Sequence, residues 1–196
     1  IFCFSNFSSQ GETPSLTELR EILWTNRKPV GSVNEVWPKL YIGDESVARD
    51  KTRLSSLGVT HVLNAAAGHH RINTGQTFYT DIEVVYHGVE AADHPEFNLQ
   101  PFFNSAALFI DSALKKNGKV LVHCAMGVSR SGALVLAYLM IHQGLTLAEA
   151  IMAVRLCRDI GPNSGFLEQL RKLDLSLHTQ SRQIFYDGYA SCLNII

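Results

Sequence analysis

The sequence predicts an α/β domain with a central, mainly parallel sheet flanked by helices. Three observations carry this. Short runs rich in apolar and β-branched residues ("LYI", "VTHVLNAA", "IEVVYHGV", "KVLVH") alternate with segments of helical period. The run "KVLVH" is nearly continuous in apolar side chains, as a strand covered on both faces requires. After it the chain shows only helical patterning, at about 130–143, 147–157 and 163–177. A length of 196 residues suits one domain.

Ser15, or Thr13 with Pro14 in the first turn, can open a helix through Trp24 with apolar positions at Leu16, Leu19, Ile22 and Leu23. "NRKPVGSVN" reads as a linker. "LYI" is the first strand, turning at Gly43-Asp44. Residues 45–57 read as one helix stopped near Gly58. The strand "VTHVLNAA", the polar loop "GHHRINTGQ" and the strand "IEVVYHGV" follow. "AADHPEFNLQPFF" is a loop, because Pro95 keeps His94 out of the helical region. Asn98 can cap a helix over Leu99 to Lys115, where Phe102, Ala106, Phe109, Ile110 and Leu114 recur at helical spacing. Gly144 ends the helix after "KVLVH", and Gly161-Pro162 separates the last two, with Asn163 placed to cap the final one. The organisation expected is an N-terminal extension with a short helix (1–28), the domain proper (29–178) and a poorly ordered tail without clear period (179–196).

The 17 Lys+Arg nearly cancel the 18 Asp+Glu, so charge offers no attraction to nucleic acid or to a membrane surface. The longest apolar runs fall far short of the ~20 residues of a membrane span. The opening "IFCFSNFSSQ" has no basic flank and no A-x-A-like site, so it does not read as a signal peptide; starting at Ile1, it reads as a fragment boundary. Cysteines at 3, 124, 157 and 192 form no C-x-x-C pair and no zinc-ligand spacing. A reducing compartment, cytoplasmic or nuclear, is expected. The adjacent His69 and His70 lie in a polar loop and read as exposed, not as metal ligands.

The chemistry concentrates in "HCAMGVSRSG", which joins the strand "KVLVH" to a helix. A glycine-containing loop entering a helix aims backbone N–H groups at one point, and the helix dipole adds positive potential there. That is a seat for an oxyanion such as phosphate. Arg130 opens the helix and offers a planar fork for two phosphate oxygens. The same field acts on Cys124: thiols at helix N-termini beside cations titrate at about 3.5–7.5 instead of about 8.5. Cys124 is then largely thiolate at neutral pH, a nucleophile under a bound phosphoryl group. Gly127 lets the backbone curl around the anion. His123, alone a packed core histidine, here helps hold the loop and the cysteine charge.

This loop resembles the signature loop of the cysteine-dependent protein phosphatases. "NEVWPKLYIGD", "LGVTHVLNAA", "YHGVEAADHPEFNL", "KVLVHCAMGVSRSGALVLAYLM" and "RDIGPNSGFLEQL" together resemble the small atypical dual-specificity phosphatases, over roughly Val33 to Leu177. Gly132-Ala133 departs from the pattern, where Pro-Thr or Ala-Thr is commoner. The resemblance implies a cysteine-phosphatase-like fold for 29–178 and two-step hydrolysis of a phosphate monoester. Cys124 attacks and becomes phosphocysteine. Arg130 and the loop from Ala125 through Met126, Gly127, Val128 and Ser129 bind the phosphoryl group. Asp93 is the general acid and then the base, selected over Glu90 and Glu96 by the family pattern. Ser131 donates a hydrogen bond to the departing thiolate. Asn163 is a helix cap or a support of the loop, and Arg158 a further buttress and a candidate substrate contact. No metal and no cofactor is implied.

None of Ala125, Met126, Val128 and Ser129 is basic, whereas enzymes of similar fold that strip inositol phosphates carry lysines there. The expected substrates are therefore proteins phosphorylated on Tyr, Ser or Thr, mitogen-activated protein kinases among them by analogy alone. A homodimer is left open. Two other classes compete: a phospho-binding module without catalysis, against which Cys124, Arg130 and Asp93 all stand, and a sulfur-transfer or arsenate-reducing enzyme, which has no upstream acid loop.

Overall fold

In a computed structural model, residues 13–25, 30–68 and 72–193 are described, with side chains as far as Thr179. The opening decapeptide with Cys3, most of the basic part of the linker, the His69-His70 pair and the side chain of Cys192 lie outside them. The elements run α1 (Leu16–Trp24), β1 (Val33–Trp37), β2 (Leu40–Gly43), α2 (Glu45–Arg49), α3 (Lys51–Leu57), β3 (His61–Asn64), β4 (Val85–Gly88), α4 (Phe103–Lys115), β5 (Val120–His123), α5 (Arg130–Gln143), α6 (Leu147–Arg155) and α7 (Ser164–Leu193). The sheet order is β1-β2-β5-β3-β4. Every pairing except β1 with β2 is parallel.

β5 lies at the centre, and its alternation feeds both faces. Val120 and Val122 join the larger core with α1, α4, α5, α6 and α7, while Leu121 packs with Val47, Leu54 and Tyr79 on the opposite face. Burial on both sides is why this strand is apolar at every position but its last. α5 is buried from Arg130 through Met140, so it is apolar all round instead of amphipathic. Among the described residues no helix is long and apolar enough to cross a membrane.

Four elements differ from the sequence reading. β1 falls at the end of the segment read as linker and forms a hairpin with β2. Its turn residue Lys39 takes a left-handed φ of 64°, and the Glu35 carboxylate accepts the Lys39 N–H at 2.7 Å. The single helix expected over 45–57 breaks at Asp50, whose side chain accepts from Arg53 N at 2.9 Å and caps α3. The helix expected from Leu99 begins with a 3-10 turn at Gln100–Phe102 containing Pro101, opened by Asn98 Oδ1 accepting from Gln100 N. α7 continues to Leu193, past residue 177 where helical period fades.

The segment assigned as an N-terminal extension contributes to the core. The α1 capping box at Ser15 and Glu18 starts the helix, and Leu19 and Leu23 are buried against α6 and α7. Thr13 Oγ1 donates to Asp174 at 2.8 Å, Arg171 Nε donates to Pro14 O at 3.0 Å, and Arg155 donates to the Ile22 carbonyl. Leu19→Ala is expected to cost about 2–5 kcal/mol of stability, the range for truncating a buried leucine. Urea unfolding measures it; a change below about 0.5 kcal/mol would show α1 to be dispensable.

Candidate active site

β5 ends at His123, and the chain turns through 124–129 before α5 starts at Arg130. The site therefore lies beyond the carboxyl end of the central parallel strand, where open α/β sheets bind ligands. Gly127 makes the turn. Its φ is 66°, and a Cβ there would lie 2.4 Å from Gly43 O and 2.6 Å from Arg158 Nη2. Left-handed backbone and absence of space together require glycine. Gly132, where the sequence departs from the family pattern, packs against Ile160, with 3.2 Å left for a Cβ.

Cys124 is 2% exposed, with its sulfur 3.3 Å from Ser131 Oγ. Burial pulls the thiol up. The Ser131 hydroxyl, the Ser131 and Val128 N–H groups and the Arg130 charge pull it down further, so it titrates below the ordinary thiol range. The sequence reading of Cys124 and Ser131 thus corresponds to a contact between the two side chains.

His123 needs a correction. It is fully buried, and its ring, though close to the Cys124 backbone, has no hydrogen-bond partner at either nitrogen. Burial lowers its pKa to about 4, so it is neutral at pH 7 and supplies no charge to the thiolate. The consequence is acid sensitivity. The unfolded chain takes up a proton near pH 6.5 that the folded chain refuses until about 4. This contribution is complete above pH 6.5 and is lost as pH falls towards 4, amounting to about 3 kcal/mol. Urea midpoints from pH 7 to pH 4 test it: His123→Phe, with no titrating ring, should show a visibly shallower acid loss than the parent.

Two arginines meet this loop and do different work. Arg158 is 2% exposed and is used up by the protein. Its Nε donates to Gly127 O at 2.8 Å, Nη2 to Met126 O at 3.2 Å, and Nη1 to Gly31 O and Asn34 Oδ1, each at 2.7 Å. The sequence reading of Arg158 as a substrate contact is therefore corrected: buried, it grips the loop through the Gly127 and Met126 carbonyls. Asn34 and Gly31, its other partners, sit in the segment read as linker, and nothing in their local sequence signals the role. Arg130, by contrast, makes one hydrogen bond among the described residues, from Nη1 to Ala91 O at 3.2 Å, and its Nε makes none. Its fork keeps donors for a ligand.

Asp93, from the β4–α4 loop, is brought to the same place. Arg130 Nε lies 3.5 Å from its Oδ2, Ser129 Oγ donates to its Oδ1 at 2.7 Å, and Asn163 Nδ2 donates to Oδ1 at 3.0 Å. Asn163 fulfils both alternatives at once, since its Oδ1 also accepts from Phe166 N at 3.0 Å and caps α7. Ser129 is a linker between them, accepting from Asn163 N at 3.1 Å while donating to Asp93. At the mouth, Met126 is 73% exposed and Ala125 is exposed, so the rim beside the anion seat is apolar.

The loop thus brings a buried thiol, an arginine and a carboxylate together at the end of the central strand. The family model for the dual specificity phosphatase catalytic domain matches residues 40–174, and the chain belongs to that family. It is 49% identical over 169 residues to dual specificity protein phosphatase 13B of Homo sapiens, covering 85% of each chain. Among solved structures it is similar to human DUSP28 (31% identity, TM-score 0.67, 77% of this chain and 97% of that one). A mouse putative dual specificity phosphatase complexed with zinc tungstate is also similar (30% identity, TM-score 0.69, 80% of this chain and 95% of that one). The protein is a dual-specificity protein phosphatase.

Proposed function

We propose that the enzyme hydrolyses phosphotyrosine and phosphoserine/phosphothreonine in proteins without a metal, through a phosphocysteine on Cys124. The observation that carries this is the low-titrating Cys124 at the loop that opens on Arg130, whose side chain makes one hydrogen bond to the described residues and faces the Asp93 carboxylate. Arg130 and the N–H groups of 125–130 hold the phosphoryl oxygens and offset the charge that builds on them. The Cys124 thiolate attacks phosphorus; the P–O bond breaks, and Asp93 gives its proton to the departing side-chain oxygen. In the second step Asp93 takes a proton from water, water attacks the phosphocysteine, and the thiolate leaves towards the Ser131 hydroxyl, 3.3 Å away. The mouse relative is complexed with zinc tungstate, and tungstate has the tetrahedral oxyanion shape this seat suits.

The absence of lysine in the loop and the exposed Met126 favour a single phosphate on a protein side chain over a polyphosphorylated ligand. Mitogen-activated protein kinases remain substrate candidates by analogy, with action in cytoplasm or nucleus. The test is phosphate release from phosphotyrosyl, phosphothreonyl and phosphoseryl peptides in the presence of a chelator, with a phosphoenzyme trapped by rapid denaturation during turnover and lost in Cys124→Ser. Hydrolysis of phosphoinositides in preference to all three peptides would overturn the protein-substrate reading.

A further inference from the structure

One face of α7 makes a set of contacts to the acid loop that the chemistry above does not use. Gly165 lies in the first turn of α7, where glycine is among the poorest helix formers. A Cβ at this position would lie 1.8 Å from Pro95 O and 2.6 Å from Pro95 C. These are backbone atoms of the acid loop two residues beyond Asp93, so no side chain can turn aside to make room. Four residues on, on the same helix face, Gln169 meets the loop again. Its Oε1 accepts from Leu99 N at 2.7 Å and Gln100 N at 3.0 Å, and its Nε2 donates to Phe97 O at 2.9 Å. Those two N–H groups open the 3-10 turn before α4, where Gln100 N is shared between Gln169 and Asn98 Oδ1.

We propose that Gly165 and Gln169 are positioning residues that set Asp93 over the pocket. Gly165 lets the loop lie directly on α7, and Gln169 fixes its exit, so that with Asn163 the loop is held at both ends by one helix. The acid is thus delivered to its place by α7, and the opposite side of its carboxylate meets Ser129 and Arg130 of the signature loop. This rests on the reading of Asp93 as the general acid.

The test is a series of aryl phosphates of differing leaving-group pKa, run on Gly165→Ala, Gln169→Leu and Gln169→Glu with Asp93→Asn as reference. Misplacing a catalytic group by about 1 Å can cost on the order of 100-fold. Gly165→Ala and Gln169→Leu should lose roughly 10- to 100-fold in kcat/KM, which reports the leaving-group step alone, on phenyl phosphate. On a nitro-substituted ester, whose oxygen leaves without help, the loss should shrink to about twofold, with orthovanadate inhibition unchanged. Gln169→Glu, which keeps the two acceptor contacts, should recover part of the rate. If Gly165→Ala does not fold, the two Gln169 variants carry the same comparison. Equal losses across the series with weaker vanadate inhibition, or no loss at all, would overturn the positioning role. If Asp93→Asn itself showed no leaving-group dependence, the acid assignment would fall first and this role with it.

Discussion

Cys124→Ser should lower kcat by roughly four orders of magnitude or more, the scale on which loss of a covalent nucleophile acts in hydrolases. The seat lowers the titration of a thiol below its ordinary range, but a serine hydroxyl stays protonated under the same field. Arg130, the loop amides and Arg158 beneath them are untouched, so phosphopeptide affinity should persist while turnover stops. Steady-state rates and calorimetric binding on the same peptide separate the two. Turnover in the variant within tenfold of the parent would sink the phosphocysteine route. The parent's pH profile follows from the sign of the shift: the active form is deprotonated at sulfur, so the rate climbs as pH rises through the Cys124 pKa. That climb should lie below the ordinary thiol range of about 8.5. The same variant, stable on its substrates, is the reagent for collecting physiological targets.

Asp93→Asn is expected to cost about 10²–10⁴-fold in kcat on phosphotyrosyl peptide, the usual worth of a placed general acid. The substitution keeps an oxygen to accept from Ser129 and Asn163, so the loop should stay where it is. What disappears is the proton. The penalty should be greatest for serine and threonine esters, whose alkoxides are the worst leaving groups, and least for nitro-substituted aryl esters. A uniform loss across these substrates would move the acid role to another residue.

Much of this site could be read before any tertiary contact was known. Cys124, Gly127, Arg130 and Ser131 belong to one strand-loop-helix stretch, so their spacing is visible in the chain itself. Asp93 is 31 positions upstream of Cys124, and only similarity to a family pattern singled it out from Glu90 and Glu96. Local rules were less dependable for the fold where two readings compete. Asp50 sits in a run of good helix formers yet ends one helix and caps the next. β1 is a half-exposed edge strand whose mixed "VNEVW" carries little apolar signal. The Gly165 in "NSGFLEQL" was a clue in plain view, because a glycine in a first helical turn asks for a neighbour that excludes a side chain.

The sequence by itself determined the class of sheet and placed Cys124 and Arg130 on one strand-loop-helix junction, since each depends on residues adjacent in the chain and on helix and strand periodicity. The tertiary structure decided which cation serves the ligand and which serves the loop. Arg130 and Arg158 are chemically alike, and only the carbonyls of Gly31, Met126 and Gly127 that surround Arg158 set them apart. It also decided that His123 is neutral, that α1 belongs to the core, and that the start of α7 meets the Asp93 loop. Those properties come from groups 30 to 160 residues apart meeting in a low-dielectric interior. Burial there sets charge states and hydrogen-bond partners that no local pattern records.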